Sequence, residues 1–144
     1  MEKQKMRKLC FLLALCSLLL IVGCSEKVVE PPQQTVDCYT VEHLDAKPDT
    51  AKAVDVSKVK LPDGANKLQS SFGAIAFGKK LATNLHAKKL YPEHSLASVT
   101  QATGDGSWQF TFSVSPENTS SNDKSILYIV LNSKGEIADA WVME

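Results

Sequence analysis

From Asn66 to Leu90 the apolar side chains recur at intervals of three and four. Leu68, Phe72, Ile75, Ala76, Leu81, Ala82 and Leu85 form one stripe, broadened by Phe77. That spacing predicts an amphipathic helix, with Asn66 as a candidate cap and Tyr91-Pro92 as its end. Lys67, Lys79, Lys80, Asn84, Lys88 and Lys89 fall mostly on the outer arc. Each interior glycine costs up to about 1 kcal/mol relative to Ala. Gly78 therefore marks either a division into two helices or a close approach of another backbone. After Pro92 the period drops to two. Leu96 to Thr103 reads as a strand, and Gly104-Asp105-Gly106 as a hairpin turn. Trp108, Phe110, Phe112 and Val114 alternate with Gln109, Thr111 and Ser113, the strongest strand pattern in the chain. Residues 115–124 form a polar loop, Ile126 to Leu131 an interior strand apolar on both faces, and Ile137 to Met143 a closing strand after the Asn132–Gly135 turn.

These elements predict an α+β fold: one long helix, with a break possible at Gly78, packed on an antiparallel sheet of about four strands. Residues 38–62 carry a weaker pattern. Cys38–Val41 is compatible with a short strand, Pro48 marks a turn, Val54–Leu61 alternates, and Leu61-Pro62-Asp63-Gly64 is a turn. The best-defined part, 66–144, is near the size at which one core becomes marginal, so part of 38–62 is expected to pack on the sheet.

The first residues follow a different rule. MEKQKMRK is a basic lead of net +3, and Leu9–Val22 is an apolar run of 14 residues interrupted only by Ser17. A helix spanning lipid needs roughly 20 residues, whereas about 7–15 suits the core of an export signal. Gly23 supplies the small residue a signal-peptidase site requires. Ile21-Val22-Gly23-Cys24, directly after that run, resembles the lipobox of bacterial lipoproteins. The resemblance covers about the first 25 residues. It implies cleavage between Gly23 and Cys24 and acylation of Cys24 by diacylglyceryl and commonly a further fatty chain such as palmitate. In a cell with two membranes, Ser25 in place of Asp implies sorting to the outer one, with the body facing the periplasm. One acyl chain holds a protein only marginally, and two or three hold it firmly. The expected organisation is a signal peptide over 1–23, a lipidated Cys and flexible tether over 24–37 (rich in Pro and Gln), and one small α+β domain over 38–144.

Charge refines this picture. The whole chain balances 16 Lys+Arg against 16 Asp+Glu, but removing residues 1–23 leaves a net charge of −3 and no arginine. That composition argues against a nucleic-acid partner. Cys10 and Cys16 fall in the signal. If Cys24 were a free thiol, a disulfide to Cys38 would close a short loop; if it is acylated, Cys38 stands alone, open to an intermolecular disulfide or redox role or, as the favoured reading, buried beside Tyr39 and Val41.

Candidate chemistry is sparse. Cys38-x4-His43 is at most half a metal site, so no metal and no cofactor are expected. His86 reads as solvated, and His94 as a turn residue after Pro92. Ser70-Ser71 has no identifiable base, and Asp105, Glu136 and Asp139 lie in or beside turns. No nucleophile elbow, zincin motif or phosphate loop is present, and no catalytic residue is assigned. Gln109, Thr111 and Ser113 on the wet side of the sheet, and Lys79 and Lys80 on the helix, are the candidate interaction surface. Trp141 is expected in the core against Trp108 or Phe110. A helix followed by a sheet bearing W-x-F-x-F resembles the cystatin-like, NTF2-like and PepSY-type exported modules, a likeness of architecture alone. Three roles fit this pattern. The first is a non-enzymatic adaptor engaging an envelope or periplasmic protein while bound to the bilayer through Cys24. The second is an immunity protein or inhibitor of a toxin or periplasmic hydrolase. The third is a small ligand-binding protein or enzyme with a pocket between helix and sheet.

Overall fold

A computed structural model of the protein describes residues 35–115 and 122–144. The expected signal segment, Gly23, Cys24 and most of the expected tether lie outside the described residues, as does 116–121 of the polar loop. The chain order is β1 (Asp37–Val41), β2 (Lys52–Ala53), short 3-10 turns at Val56–Lys58 and Ala65–Lys67, α1 (Ser71–Ala87), β3 (His94–Ala102), β4 (Trp108–Val114), β5 (Ile126–Leu131) and β6 (Ile137–Met143). The strands form one six-stranded sheet in the order β1-β3-β4-β5-β6-β2. The α+β class holds, and the sheet is larger than the four strands expected. The two additions come from the weakly patterned segment. β1 lies parallel to β3 at one edge, and β2 lies antiparallel to β6 at the other.

The central meander β3–β6 follows the alternation in the sequence. Val99, Phe110, Ile129 and Ala140 face one another across the sheet, and Leu96, Phe112, Leu127 and Val142 form the next row. Two register shifts adjust this pattern. In β3 the irregularity between Leu96 and Ser98 lets Leu96 and Val99, three apart, both enter the core. In β5–β6 the shift at Val130–Leu131 brings Ile137 as well as Ala140 to the same side.

The 17-residue helix α1 covers that side. Ser70 caps it: the Gly73 backbone N–H donates to Ser70 Oγ at 3.1 Å. Asn66, the expected cap, lies in the 3-10 turn before the helix. The C-terminal end is a Schellman motif. Leu90 N–H donates to the Leu85 carbonyl and Lys89 N–H to that of His86, with Lys89 at φ 57°. The helix therefore stops at Ala87, before Tyr91-Pro92. The buried stripe is Ala74, Phe77, Gly78, Leu81, Ala82 and Leu85, rotated from the expected one because Phe77, its ring tilted 45° against that of Phe110 with centroids 5.4 Å apart, belongs to it. Ala76 is exposed, and Phe72 is 85% exposed. The helix is continuous through Gly78. A Cβ at Gly78 would stand 2.7 Å from Leu96 Cδ2 and 2.9 Å from Phe110 Cδ1, so the glycine marks a close helix–sheet approach. Val59 and the half-buried Val36, Leu61 and Leu68 close the edges of the core.

Candidate functional site

The structure separates the expected interaction residues into two surfaces. Gln109, Thr111 and Ser113 alternate with the core residues Phe110 and Phe112, so they lie on the sheet face turned away from α1, half-buried. Lys79 and Lys80 are exposed on α1, across the sheet from that face. Cys24 and Gly23 lie outside the described residues.

On the open sheet face the residues stand in rows. Tyr39, Thr100, Gln109, Val130 and Asp139 make one row, and Ser98, Thr111, Tyr128 and Trp141 the next. Ser113 lies between Ser95 and Ile126. Because β1 and β2 occupy opposite edges, residues 42–51 must cross a sheet about 24 Å wide. Leu44 and Asp45 share a groove with Thr100 and Gln109, and Lys47 Nζ lies 4.0 Å from Asp139 Oδ1. The crossing therefore runs over the open face. Between it and β1 remains a groove of about 390 Å³ floored by Thr100 and Gln109 and walled by Tyr39, Val41 and Leu44. Tyr39 is 54% exposed, an aromatic body with a polar tip at the groove's margin.

Trp141 is buried but does not join the core with Trp108 or Phe110. It packs on the open face, stacked on Tyr128 with centroids 5.2 Å apart and planes 13° apart. The one-residue alternation that sends Ala140 to the core sends Trp141 the other way. Cys38 is an exposed free thiol on the edge strand, not a buried one, because α1 does not extend over β1.

The histidines are also placed by tertiary structure. His94 opens β3 and is 2% exposed, rather than lying in a turn. Its Nε2 lies 3.0 Å from the Ser125 carbonyl and 3.1 Å from Ser125 Oγ, which ties β3 to the start of β5. Its Nδ1 is buried without a hydrogen-bond partner among the described residues. His86 Nε2 donates to the His94 carbonyl at 2.6 Å. His43 is exposed, 3.7 Å from Glu42.

The carboxylates with displaced acidity sit in local turns. Hydrogen bonds from Ser57, first from its hydroxyl at 2.6 Å, hold Asp55 below the usual range. The Ser107 N–H at 2.9 Å does the same for Asp105, and Ser125 does so for Asp123. Glu136 accepts from Asn132 Nδ2 at 3.0 Å, and Asp139 from the Ala140 N–H at 2.8 Å. Burial pushes the Tyr91 phenol up. Each of these carboxylates is engaged with its own turn or strand neighbour. Among the described residues no group of three or more His, Cys, Asp or Glu side chains stands together as metal ligands.

No protein-family model, curated protein or solved structure matches the chain. The sequence pattern found Gln109 but not Tyr39, Leu44 or Thr100 beside it. Parallel pairing of Tyr39 with Thr100 joins positions about sixty apart in sequence, and no local spacing signals that.

Proposed function

We propose that this chain is a lipoprotein of the cell envelope, held at the bilayer by an acylated Cys24 and facing the periplasm. It acts there as a non-enzymatic adaptor that binds an envelope protein on its open sheet face. The anchor rests on the basic lead, the 14-residue apolar run and the Ile21-Val22-Gly23-Cys24 junction. The observation that carries the binding role is the groove between β1 and the 42–51 crossing. It combines an exposed aromatic, Tyr39, with the half-buried amide of Gln109 and hydroxyl of Thr100 in a concave surface. Such an arrangement favours a protein side chain with both apolar and hydrogen-bonding parts.

Two measurements test the reading. Growth with an alkynyl palmitate should label the wild-type chain and leave Cys24→Ser unlabelled. Photocrosslinking in intact envelopes from a benzophenone introduced at Thr100 should trap a discrete partner, and Tyr39→Ala with Gln109→Arg should abolish the adduct. A trapped hydrolase whose activity falls on binding would make the module an inhibitor. An unlabelled Cys24, or adducts indifferent to both substitutions, would refute the anchor or the binding site respectively.

A further inference from the structure

Among the described residues Phe72 is the most exposed of the large apolar side chains, at 85%, and it sits in the first turn of a regular helix. At about 100° per residue, the line opposite the buried stripe passes within about 30° of Phe72, Ala76 and Thr83. Lys79 and Lys80 lie about 50° to either side of that line. The helix contains no Asp or Glu.

The basic character continues beyond the helix. Asn84 Nδ2 donates to the Lys60 carbonyl at 2.8 Å, fastening the 56–63 segment along α1. One depression of about 380 Å³ brings Lys60 beside Lys80, and another of about 480 Å³ is bordered by Lys58, Lys60 and Lys88. Acid is also present on this side: Asp55 is paired with Lys58 at 3.4 Å, and Asp63 lines the first depression. An apolar pole with small neighbours and lysines on both flanks is the composition of a helix lying in a lipid interface.

We propose that the outer face of α1, centred on Phe72 and flanked by Lys79 and Lys80, docks on anionic lipid headgroups of the bilayer that carries Cys24. This rests on the anchored reading above. The expected tether ahead of the core residue Val36, residues 25–35, would reach about 34 Å at the extended rise of Pro-rich chain, so the domain stays at high effective concentration over the bilayer. Attraction on the order of fivefold per lysine then suffices to hold the face down. Phe72 enters the headgroup boundary, Ala76 and Thr83 let the helix axis come close, and the sheet face bearing Gln109 turns toward the periplasm. A lipid surface fits better than an acidic protein: the lysines spread over α1 and the adjoining segment, and the pole offers a protruding ring in place of a cavity.

The test uses the mature acylated protein reconstituted into vesicles of phosphatidylcholine alone or mixed with phosphatidylglycerol. Phe72→Trp supplies the probe, read as the difference from the parent's Trp108 and Trp141 emission. Brominated acyl chains should quench it in anionic vesicles and not in neutral ones. Adding Lys79→Glu and Lys80→Glu should lower the ratio of docked to undocked domain by on the order of 25-fold or more, read as loss of quenching, with vesicle flotation unchanged. All three substituted residues are exposed, and an unchanged melting temperature verifies that the fold persists. Flotation with an unquenched probe in both vesicle types would overturn the docked face and leave the anchor standing. Failure to float would overturn the anchor and the proposal together. Equal quenching in both vesicles, or displacement of the probe from lipid by an acidic envelope protein, would also overturn it.

Discussion

Gly78 offers a quantitative test of the helix–sheet contact. Replacing a glycine by alanine inside a helix ordinarily stabilises by about 1 kcal/mol. Here the added methyl would meet Leu96 Cδ2 at 2.7 Å, Leu96 Cδ1 at 2.9 Å and Phe110 Cδ1 at 2.9 Å. Leu96 is 4% exposed and Phe110 fully buried, so neither has open space to move into. Overpacking of this kind costs about 1–3 kcal/mol. Gly78→Ala should therefore destabilise the domain by about 1 kcal/mol net, a fall in Tm of about 4 °C. Ala76→Gly, on the exposed side of the same helix, isolates the propensity contribution and should cost about 1 kcal/mol. Both can be measured by urea unfolding followed through Trp108 and Trp141. Adding the two losses cancels propensity and leaves the overpacking cost. If Gly78→Ala stabilises by as much as Ala76→Gly destabilises, the close approach described here does not exist.

Three further outcomes follow from the helix ends and the turns. Ser70→Ala removes the cap on the Gly73 N–H and should cost about 1 kcal/mol in the same unfolding assay, with no change at the sheet. Lys89→Gly relieves a left-handed residue at φ 57°; it should stabilise by about 0.5–1 kcal/mol, and a loss would argue against the Schellman geometry. The third concerns acid. Asp55, Asp105 and Asp123 all have acidity displaced below their ordinary value of 3.8. Their contribution is complete above that value and disappears as pH falls through the lower folded-state values. Stability should thus decline below about pH 4, and replacing all three by Asn should flatten that decline in pH-dependent thermal melts.

The meander was legible because its strands pair with near neighbours and each bears a period-two pattern. Trp108, Phe110 and Phe112 enter the core as that alternation requires. The helix was legible in its existence and less so in its rotation. Period alone admits Phe72 or Phe77 as the centre of the stripe, and only the positions of Leu96 and Phe110 select Phe77 and leave Phe72 in water. The edge strands were hardest to read. β1 has all five residues exposed and β2 only two residues, so neither carries a buried face to generate periodicity. The same gap hid half of the candidate site, since Tyr39 and Leu44 reach Gln109 only through that long-range pairing. His94 shows a related limit: a residue two beyond a proline reads as turn, whereas its contact with Ser125 draws it into the strand.

The order of strands has a consequence for how the protein acquires its fold. The two outermost strands come from the segment synthesised before the helix, yet each docks on a strand made much later: Cys38 beside Val99, and Ala53 beside Trp141. The early segment therefore has no template until the hairpins of the second half have assembled. Local closure of β3–β6 is entropically cheap, whereas recruiting the flanks requires large loops to close. Assembly should proceed from the middle strands outward, with 42–51 drawn across last like a strap fastened at both sides. A polypeptide built this way stays incomplete until β6, the last strand to be made, is available to receive β2.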